Sequence, residues 1–267
     1  MKLLWLTDLH LDRADNNTRH QLLNTLASAQ FDSVLITGDI SNSANVCTDL
    51  SDLASACGGK MLYFVFGNHD FYGSSFGEVD SAVNSACNQR SNLRHLGQGE
   101  IVPLGSDTAL IGHRGWADGR AGYRSNHRNP DIERISDFAN CSEAAMFSKM
   151  SELGKTSARY FREVLPYALT CYQNVFVATH VPPFVDAALY NDEPCGPFQR
   201  PFYTNVSAGC AIRGITSSYR RSRVKVLCGH THTHTRVKIS AEVEVFAGGS
   251  KPGRPKVEQV FDTEMAN

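Results

Sequence analysis

The sequence predicts an α/β fold in which parallel strands alternate with helices. Short runs of apolar, β-branched and aromatic residues recur along the chain, at 3–7, 34–37, 62–66, 175–179 and 224–228. Segments in which apolar residues have helical spacing separate the first three runs, and this alternation is typical of β-α-β units. Because the crossovers of such units are right-handed, the first three strands are expected to run parallel in one sheet.

The remaining elements follow from capping residues and periodicity. The first helix is expected to begin near Asn17 and Thr18, which can cap it ahead of apolar residues on one face. The second is expected to begin near Ser43 and to end at Gly58 and Gly59. We expect further helices over 76–88 and 142–165 and short strands near 101–102, 109–111, 236–239 and 242–246, the last two in a second sheet.

Length and composition favour a single domain over residues 1–267 that binds neither nucleic acid nor membranes. The formal charge is −1, so no global field attracts nucleic acid or an anionic membrane surface. No apolar run approaches the roughly 20 residues that span a bilayer. The eight cysteines are scattered without a CxxC pair, and Met1 and Lys2 lead directly into the first strand without room for a signal peptide. We therefore expect a cytoplasmic protein with reduced thiols.

Each of the five apolar runs ends in residues that commonly bind metal ions. The endings are Asp8-x-His10, Gly38-Asp39, Gly67-Asn68-His69-Asp70, His180 and Gly229-His230-x-His232. The carboxyl ends of strands in open α/β sheets are where ligands bind, because the loops that leave the strands converge there. A single histidine at such a position is more often structural. Five endings of the same chemical kind predict one shared site.

The number and type of donors indicate two metal ions. Seven residues supply oxygen or nitrogen donors: Asp8, His10, Asp39, Asn68, His180, His230 and His232. These are too many for one tetrahedral ion, and the lack of cysteine among them disfavours a structural zinc site. If Asp39 bridges, the set provides four bonds to each ion and leaves positions open for water and substrate. Asp8 and His10 are expected to point the same way from an extended segment, as are His230 and His232.

Such a centre predicts the hydrolysis of phosphoesters. A water shared by two divalent cations loses its proton near neutral pH, and the resulting hydroxide is a nucleophile for a phosphoryl group. His69 follows Asn68 directly and cannot easily bind the same ion. We expect His69 to donate a proton to the leaving alkoxide, with Asp70 holding its other nitrogen. The alternative is that His69 only braces the loop.

Two segments without periodicity could border the substrate. Residues 113–134 are rich in Gly and Arg, and form either a solvated loop or a substrate lip. In a lip, Trp116 or Tyr123 would stack on a base or an aromatic leaving group. One of the arginines would bind phosphate, the candidates being Arg114, Arg120, Arg124, Arg128 and Arg134. Residues 181–203, rich in Pro and aromatic residues, are expected to form a second bordering loop. His234 is either exposed or in contact with a ligand residue.

The five motifs, in this order over residues 8–232, resemble those of the calcineurin-like metallophosphoesterases. The resemblance implies a four-layer αββα sandwich, with two mixed β-sheets flanked by helices, around a dinuclear centre of Mn, Fe or Zn. It assigns one metal to Asp8, His10, Asp39 and His232. It assigns the other to Asp39, Asn68, His180 and His230, and makes His69 the acid.

Differences between this sequence and other branches of the family limit the expected class of substrate. Its protein Ser/Thr phosphatases follow Gly-Asp with a longer motif that ends in Asp-Arg-Gly, and they have GNHE. Here Gly38-Asp39 continues with Ile40, and the third motif ends in Asp70. The pattern is more similar to the bacterial phosphodiesterase branch, which implies a small phosphodiester substrate, nucleotides included. The alternatives are a phosphatase for nucleotide or sugar monoesters and a non-catalytic protein-binding module on the same fold.

Overall fold

Two mixed β-sheets pack face to face, and helices cover their outer sides. The computed structural model describes residues 1–124 and 129–264. The strands are β1 (Lys2–Leu6), β2 (Ser33–Thr37), β3 (Met61–Val65), β4 (Leu93–His95), β5 (Val102–Pro103), β6 (Thr108–Gly112), β7 (Asn174–Ala178), β8 (Leu189–Tyr190), β9 (Glu193–Pro194), β10 (Arg223–Cys228), β11 (Thr235–Lys238), β12 (Val243–Ala247) and β13 (Gln259–Asp262). The helices are α1 (Asn16–Ser28), α2 (Val46–Ala56), α3 (Phe76–Asn88), α4 (Pro130–Arg134), α5 (Glu143–Cys171), α6 (Arg200–Tyr203) and α7 (Val206–Thr216). Short 3-10 helices lie at Leu11–Arg13, His69–Phe71, Ser136–Phe138 and Val185–Ala187.

The strand order confirms the parallel arrangement expected for the first three strands. The first sheet has the order β13-β1-β2-β3-β4, with β1 to β4 parallel and β13 antiparallel to β1. The second has the order β11-β12-β10-β7-β6-β5, with antiparallel strands only at its two edges. The terminal strands β11 and β12 belong to this second sheet, as expected. A small hairpin, β8-β9, lies outside both sheets.

Alternate residues of the strands build three hydrophobic layers. In β1, Leu4 and Leu6 pack with residues of α1, α2 and α3, whereas Leu3 and Trp5 pack against the second sheet. A third cluster joins the outer face of the second sheet to α5 and α7, for example through Phe161. Three apolar layers between four layers of secondary structure make the αββα sandwich that the resemblance implied.

All four predicted helices are present, with differences at the ends of three of them. The helix over 76–88 has the predicted bounds, and Ser75 and Glu78 form a capping box at its start. α1 begins at Asn16 because Asp15 caps it, and α2 begins at Val46 instead of near Ser43. α5 continues beyond 165 and includes Pro166, because apolar residues of its last turns still pack on the second sheet. In the described parts of the chain, no helix combines the length and apolar character needed to cross a membrane.

Two edge strands of the first sheet were not predicted. β4 has three residues and β13 has four, and both lack the apolar runs of the central strands. β13 is held by one buried residue, Phe261, whose ring lies 6.2 Å from Trp5 and 5.3 Å from Phe246. Aromatic contacts of one residue across the sandwich, to Phe176 and Phe246, leave no periodic signal in the sequence.

Candidate metal centre

The loops that follow β1, β2, β3, β7 and β10 meet at one edge of the sandwich. The backbone N–H of Asp8 donates to the carbonyl of Gly38 at 3.0 Å, which joins the first two loops. The backbone N–H of His230 donates to both carboxylate oxygens of Asp8, at 2.9 and 3.1 Å. The N–H of Gly229 donates to the carbonyl of His180 at 2.9 Å. The two sheets are therefore connected through the same residues that the sequence marks as metal donors.

All seven predicted donor residues lie in this one cluster. Ligand atoms within 4.8 Å of one another form three overlapping groups: Asp8, His10 and His232; His10, Asp39 and His69; and Asp8, Asp39 and His180. The other two residues, Asn68 and His230, lie in direct contact with the rest of the cluster. Asn68 Oδ1 lies 3.2 Å from His180 Nε2 and 3.1 Å from His230 Nδ1.

The two carboxylate oxygens of Asp39 face different parts of the cluster. Oδ2 lies 3.5 Å from His10 Nε2 and 3.9 Å from His69 Nε2. Oδ1 lies 3.3 Å from His180 Nε2. A carboxylate placed in this way can offer one oxygen to an ion on each side and so can act as a bridging ligand.

Backbone carbonyls set the orientation of three histidine rings. His180 Nδ1 lies 2.8 Å from the carbonyl of Thr37, His230 Nε2 lies 2.9 Å from that of Phe202, and His232 Nδ1 lies 2.8 Å from that of Ser250. A carbonyl only accepts, so each of these nitrogens is the protonated donor, and in the neutral ring the other nitrogen keeps its lone pair. For His180 and His230, that second nitrogen lies beside Asn68 in the cluster. Sequence reasoning did not find these partners, because a main-chain carbonyl leaves no side-chain signature.

His10 is suited to bind a metal ion because its ring nitrogens make no hydrogen bonds within the described protein. The side chain is buried, and neither ring nitrogen has a hydrogen-bond partner among the described residues. Burial lowers the pKa of His10 to about 2, and burial lowers that of His230 to about 3. Neutral imidazole is the form that binds metals. A buried ring nitrogen with no partner is costly, and a cation would satisfy it.

Burial and the neighbouring rings have opposite effects on the pKa values of the two buried carboxylates. Burial raises the pKa of Asp8, with His232 acting in the opposite direction. For Asp39, burial opposes the charge, but His180 and His69 hold its pKa well below the usual range. Burial disfavours a charged His180, yet Asp39 raises the pKa of this ring to about 9. A buried cluster with two carboxylates is the electrostatic environment in which divalent cations are stabilised.

The backbone of the cluster differs from the extended conformation that the sequence suggested. Asp8 and His10 have φ values of 51° and 41°, and His230 and His232 have 72° and 52°. Asp39 also has a positive φ, of 53°. This left-handed conformation costs about 1 kcal/mol or more for a residue with a side chain, and it is concentrated at functional sites. The paired side chains therefore reach one cluster through tight turns and not through strand alternation.

Glycines allow the loops to approach closely. A Cβ at Gly38, which has φ +92°, would lie 2.6 Å from His180 Nδ1 and 2.6 Å from the backbone nitrogen of Gly67. A Cβ at Gly67 would overlap the Oδ1 atom of Asp39. These positions accept only glycine without displacing a proposed ligand.

Comparison with known proteins identifies the family. The sequence matches the family model described as calcineurin-like phosphoesterase over residues 1–234. The chain belongs to this family. A dimetal phosphatase from Danio rerio has a similar fold, with a TM-score of 0.58, 11% identity and coverage of 94% of this chain and 89% of that one. The TT1561 protein of Thermus thermophilus has a TM-score of 0.53 and 11% identity, with coverage of 92% of this chain and 88% of that one. A search of curated proteins found no match.

Family membership makes the chain a hydrolase of phosphoester bonds, as the sequence analysis expected. Calcineurin-like phosphoesterases use a dinuclear divalent metal centre, and the clustered His and Asp side chains provide candidate ligand groups for one. The alternative of a non-catalytic protein-binding module is not favoured by these findings.

Asp70 of the phosphoesterase does not contact His69, contrary to the expectation from sequence. Its buried carboxylate accepts hydrogen bonds of 2.8–3.0 Å from four backbone N–H groups, those of Asp39, Ile40, Ser41 and Gly67. Burial and the nearby Asp39 carboxylate raise the pKa of Asp70 to about 7, whereas the N–H donors favour the ionised form. Asp70 therefore joins the loops after β2 and β3 and supports the position of Asp39.

His69 is in contact with a residue that sequence reasoning missed. Arg13, in the 3-10 helix after the first motif, places Nη2 3.3 Å from His69 Nδ1. The ring also packs at 4.2 Å from the ring of Tyr72, and the backbone N–H of His69 donates to Asp39 Oδ1 at 2.9 Å. Burial lowers the pKa of His69 to about 4. The only sequence signal for Arg13 was its closeness to Asp8-x-His10.

A cavity of about 230 Å³ opens on the cluster. On one side it is lined by Asp39, Asn68, His69, His230 and His232. The rest of its lining is formed by Tyr72, Asn129, Pro130, Asp131, Tyr190, Gln199, Phe202 and Tyr203. Both of the irregular segments expected to border the substrate, 113–134 and 181–203, therefore contribute to this lining.

The expected stacking residues of 113–134 are not at the cavity. Trp116 is 4% exposed and its ring stacks on Phe138 at 5.9 Å, so it belongs to the core and cannot contact a substrate. Tyr123 is 65% exposed and pairs with Phe198 outside the cavity lining. Trp116 is buried because it packs against apolar neighbours. The composition of its segment, which is rich in Gly and Arg, did not indicate this contact.

The described arginines of this segment also have other partners. Arg114 pairs with Asp80 at 3.4 Å, and Arg120 donates to Ser207 at 3.2 Å. The guanidinium groups of Arg124 and Arg134 lie over aromatic rings. Arg128 lies outside the described residues. His234, whose role the sequence left open, is exposed.

Proposed function

We propose that this phosphoesterase binds two divalent ions through the clustered side chains. One ion would be bound by Asp8, His10, Asp39 and His232, and the other by Asp39, Asn68, His180 and His230. The observation that carries the proposal is the orientation of Asp39, whose oxygens face His10 on one side and His180 on the other. The buried, unpartnered nitrogens of His10 support it.

The donor set also limits the identity of the metals. Imidazole, carboxylate and amide oxygen ligands suit Mn, Fe and Zn, and no thiolate is present to select a softer ion. Two such ions, when bound, would lower the pKa of a shared water and neutralise charge on the phosphoryl group. The protein would hold them in a cavity wall that Asp70 and the backbone carbonyls keep in place.

His69 is proposed as the donor to the leaving oxygen. Its Nδ1 atom faces the Arg13 guanidinium, which can only donate, so the ring carries its proton at Nε2. Nε2 lies 3.9 Å from Asp39 Oδ2, on the cavity side of the cluster. The hydrogen at Nε2 would donate a hydrogen bond to a leaving oxygen next to the metal centre and stabilise its developing negative charge. Asp70 is proposed to act indirectly, through the backbone of the Asp39 loop.

The cavity supports a phosphodiester substrate more than a monoester. Among its described lining residues there is no Lys or Arg, and Asp131 adds a carboxylate. A phosphodiester carries one negative charge, whereas a monoester near neutral pH carries close to two. The smaller charge is the better match to a wall without side-chain cations.

The aromatic side of the cavity supports a substrate with a planar group, such as a nucleotide. The rings of Tyr190 and Tyr203 lie 5.8 Å apart, and the ring of Tyr203 lies 5.1 Å from that of His230. Asn129 and Gln199 use their amide oxygens to accept backbone N–H groups, so their NH₂ groups are the available donors. Aromatic rings with amide donors nearby are suited to a base or another planar heterocycle.

The test compares a diester with a monoester on metal-loaded protein. The protein is freed of metal, reconstituted with Mn²⁺, analysed for bound metal and assayed with bis-p-nitrophenyl phosphate and p-nitrophenyl phosphate. We expect two ions per chain and the higher kcat/KM for the diester. A higher kcat/KM for the monoester would contradict the diester proposal. No turnover of either ester by protein that holds two ions would contradict the hydrolytic role of the site.

Two other expectations stay predictions. One is that residues 1–267 form a single domain. The other is a cytoplasmic location, for which the supporting observation is that all eight cysteines are free thiols in the structure. Mass analysis after thiol alkylation of freshly isolated protein should show eight modified cysteines.

A further inference from the structure

We infer that Asp131 is a positioning residue of the metal centre, which holds the side-chain amide of Asn68 with its oxygen toward the metal-binding histidines. The inference rests on the proposed function, because it concerns how one of the proposed ligands is presented. Asp131 comes from α4, in the segment that the sequence suggested as a substrate lip.

The orientation of the Asn68 amide decides whether it can bind a cation. Only Oδ1 has lone pairs, whereas Nδ2 is a donor. Oδ1 lies 3.2 Å from His180 Nε2 and 3.1 Å from His230 Nδ1, and Nδ2 donates to Asp131 Oδ1 at 2.8 Å. Rotating the amide by half a turn would direct its NH₂ group at the histidines and its oxygen at a carboxylate. Asp131 therefore favours the one orientation that can bind metal.

Tyr72 strengthens this arrangement. Its hydroxyl donates to the same oxygen of Asp131 at 2.7 Å, and Asn68 Nδ2 also lies 3.1 Å from the hydroxyl oxygen. Asp131 and Asn68 are both buried, with 7% and 6% of their surfaces exposed. Hydrogen bonds to a buried carboxylate are strong, so the three side chains form a rigid unit. A donor bond to a carboxylate also increases the negative charge on the amide oxygen.

The segment that carries Asp131 is attached to the loop that carries Asn68. The N–H of Gly73 donates to the carbonyl of Arg134 at 2.7 Å, and the N–H of Ser136 donates to the carbonyl of Ser74 at 2.9 Å. The N–H of Phe76 donates to the carboxylate of Asp137 at 2.7 Å. These two backbone contacts and one side-chain contact fix α4 beside the third motif independently of the Asp131 side chain.

Asp131 also lines the cavity, so a direct substrate contact is the competing explanation. A positioning role predicts a change in metal affinity without substrate present, whereas a substrate contact predicts a change in KM alone. The measurement is the calorimetric titration of metal-free protein with Mn²⁺, followed by KM and kcat for bis-p-nitrophenyl phosphate. Wild-type protein that binds two Mn²⁺ ions establishes the proposed centre independently of the variants.

The informative variants are Asp131→Leu and Asp131→Asn, with Asp52→Asn as matched control. For Asp131→Leu we expect one of the two Mn²⁺ affinities to fall by about 10- to 100-fold and the other to change little. Asp131→Asn keeps an acceptor but loses the charge, so a smaller loss at the same site is expected. Asp52→Asn makes the same change at an exposed position of α2 without touching Asn68, and should bind Mn²⁺ like wild type.

Unchanged Mn²⁺ affinities in folded Asp131→Leu would overturn the inference, and so would a raised KM with unchanged affinities. If circular dichroism shows that Asp131→Leu does not fold, Asp131→Asn decides the question. Wild-type affinity at both sites in that variant would then contradict the positioning role.

Discussion

The guanidinium group of Arg13 lies 3.3 Å from the Nδ1 atom of His69. Sequence analysis assigned this position to Asp70, whose carboxylate instead binds four backbone N–H groups. A cation therefore lies beside the His69 ring where the sequence predicted an anion, and this affects the protonation of the ring. A carboxylate would stabilise a protonated ring, whereas Arg13 disfavours a second proton and leaves the ring with its hydrogen on Nε2.

Arg13→Met should lower kcat while leaving bound metal unchanged. Without the guanidinium, nothing in this pair fixes the tautomer of His69, so the Nε2 proton is not always directed at the cavity. We expect a loss of about 10-fold, smaller than the loss of the histidine itself. Steady-state kinetics with a phosphodiester and elemental analysis measure both quantities. Arg13→Lys should recover part of the activity, and equal kcat in all three proteins would remove Arg13 from the mechanism.

His69→Ala tests the donor directly. The variant should keep two bound ions and lose turnover by about 10²-fold, the usual scale for a missing hydrogen-bond donor to charge that develops in the transition state. His20→Ala is the control, since His20 is an exposed residue of α1. If His69 only braces its loop, thermal stability would fall while kcat stayed close to that of wild type.

Asp70→Asn should destabilise the fold. The carboxylate accepts four N–H groups, and an asparagine would offer one oxygen and turn an NH₂ group toward the same donors. Each buried N–H left without an acceptor costs about 1–3 kcal/mol, so we expect the free energy of unfolding to fall by about 3 kcal/mol or more. Urea denaturation of the metal-free protein measures it. A change below about 0.5 kcal/mol would show that the four contacts contribute little to stability.

The variants Trp116→Ala and Tyr123→Ala test whether Trp116 belongs to the core and Tyr123 to the surface. Burial of Trp116 against Phe138 predicts a loss of about 3–5 kcal/mol in the free energy of unfolding. Tyr123 is mostly exposed, and its replacement should change stability by no more than about 0.5 kcal/mol. The milder Trp116→Phe should leave the KM for phosphodiesters unchanged. A raised KM in that variant would restore the substrate contact suggested by the sequence.

Sequence analysis predicted the features that are indicated by patterns within a short stretch of the chain. An apolar run that ends in a metal-binding residue marks both a strand and a ligand, and this is why β1, β2, β3, β7 and β10 and the seven clustered donors were found together. The orientation of the loops was not predictable in the same way. Left-handed backbone at Asp8 and His10 follows from how two strand ends meet, and no residue type at those positions requires it.

The missed residues share a different property, since their partners are distant in sequence or are backbone atoms. Asp131 contacts Asn68 across 63 positions, and Arg13 contacts His69 across 56. Asp70 binds main-chain N–H groups, and the carbonyls of Thr37, Phe202 and Ser250 orient histidines. Neither kind of contact changes periodicity or composition, so only the folded chain reveals it.

The last prediction concerns the aromatic side of the cavity. Tyr190 lines the cavity, and its ring packs against that of Tyr203. Tyr203 is not a proposed metal ligand. Tyr190→Ala therefore removes stacking surface without a direct effect on the metal centre. Stacking on a base contributes about 1–3 kcal/mol, so the KM for a nucleoside phosphodiester should rise by about 10-fold. The KM for a dialkyl phosphate should change little. Tyr167→Ala, an exposed tyrosine of α5, is the control. Equal KM changes for both esters would contradict a role for Tyr190 in binding a planar group.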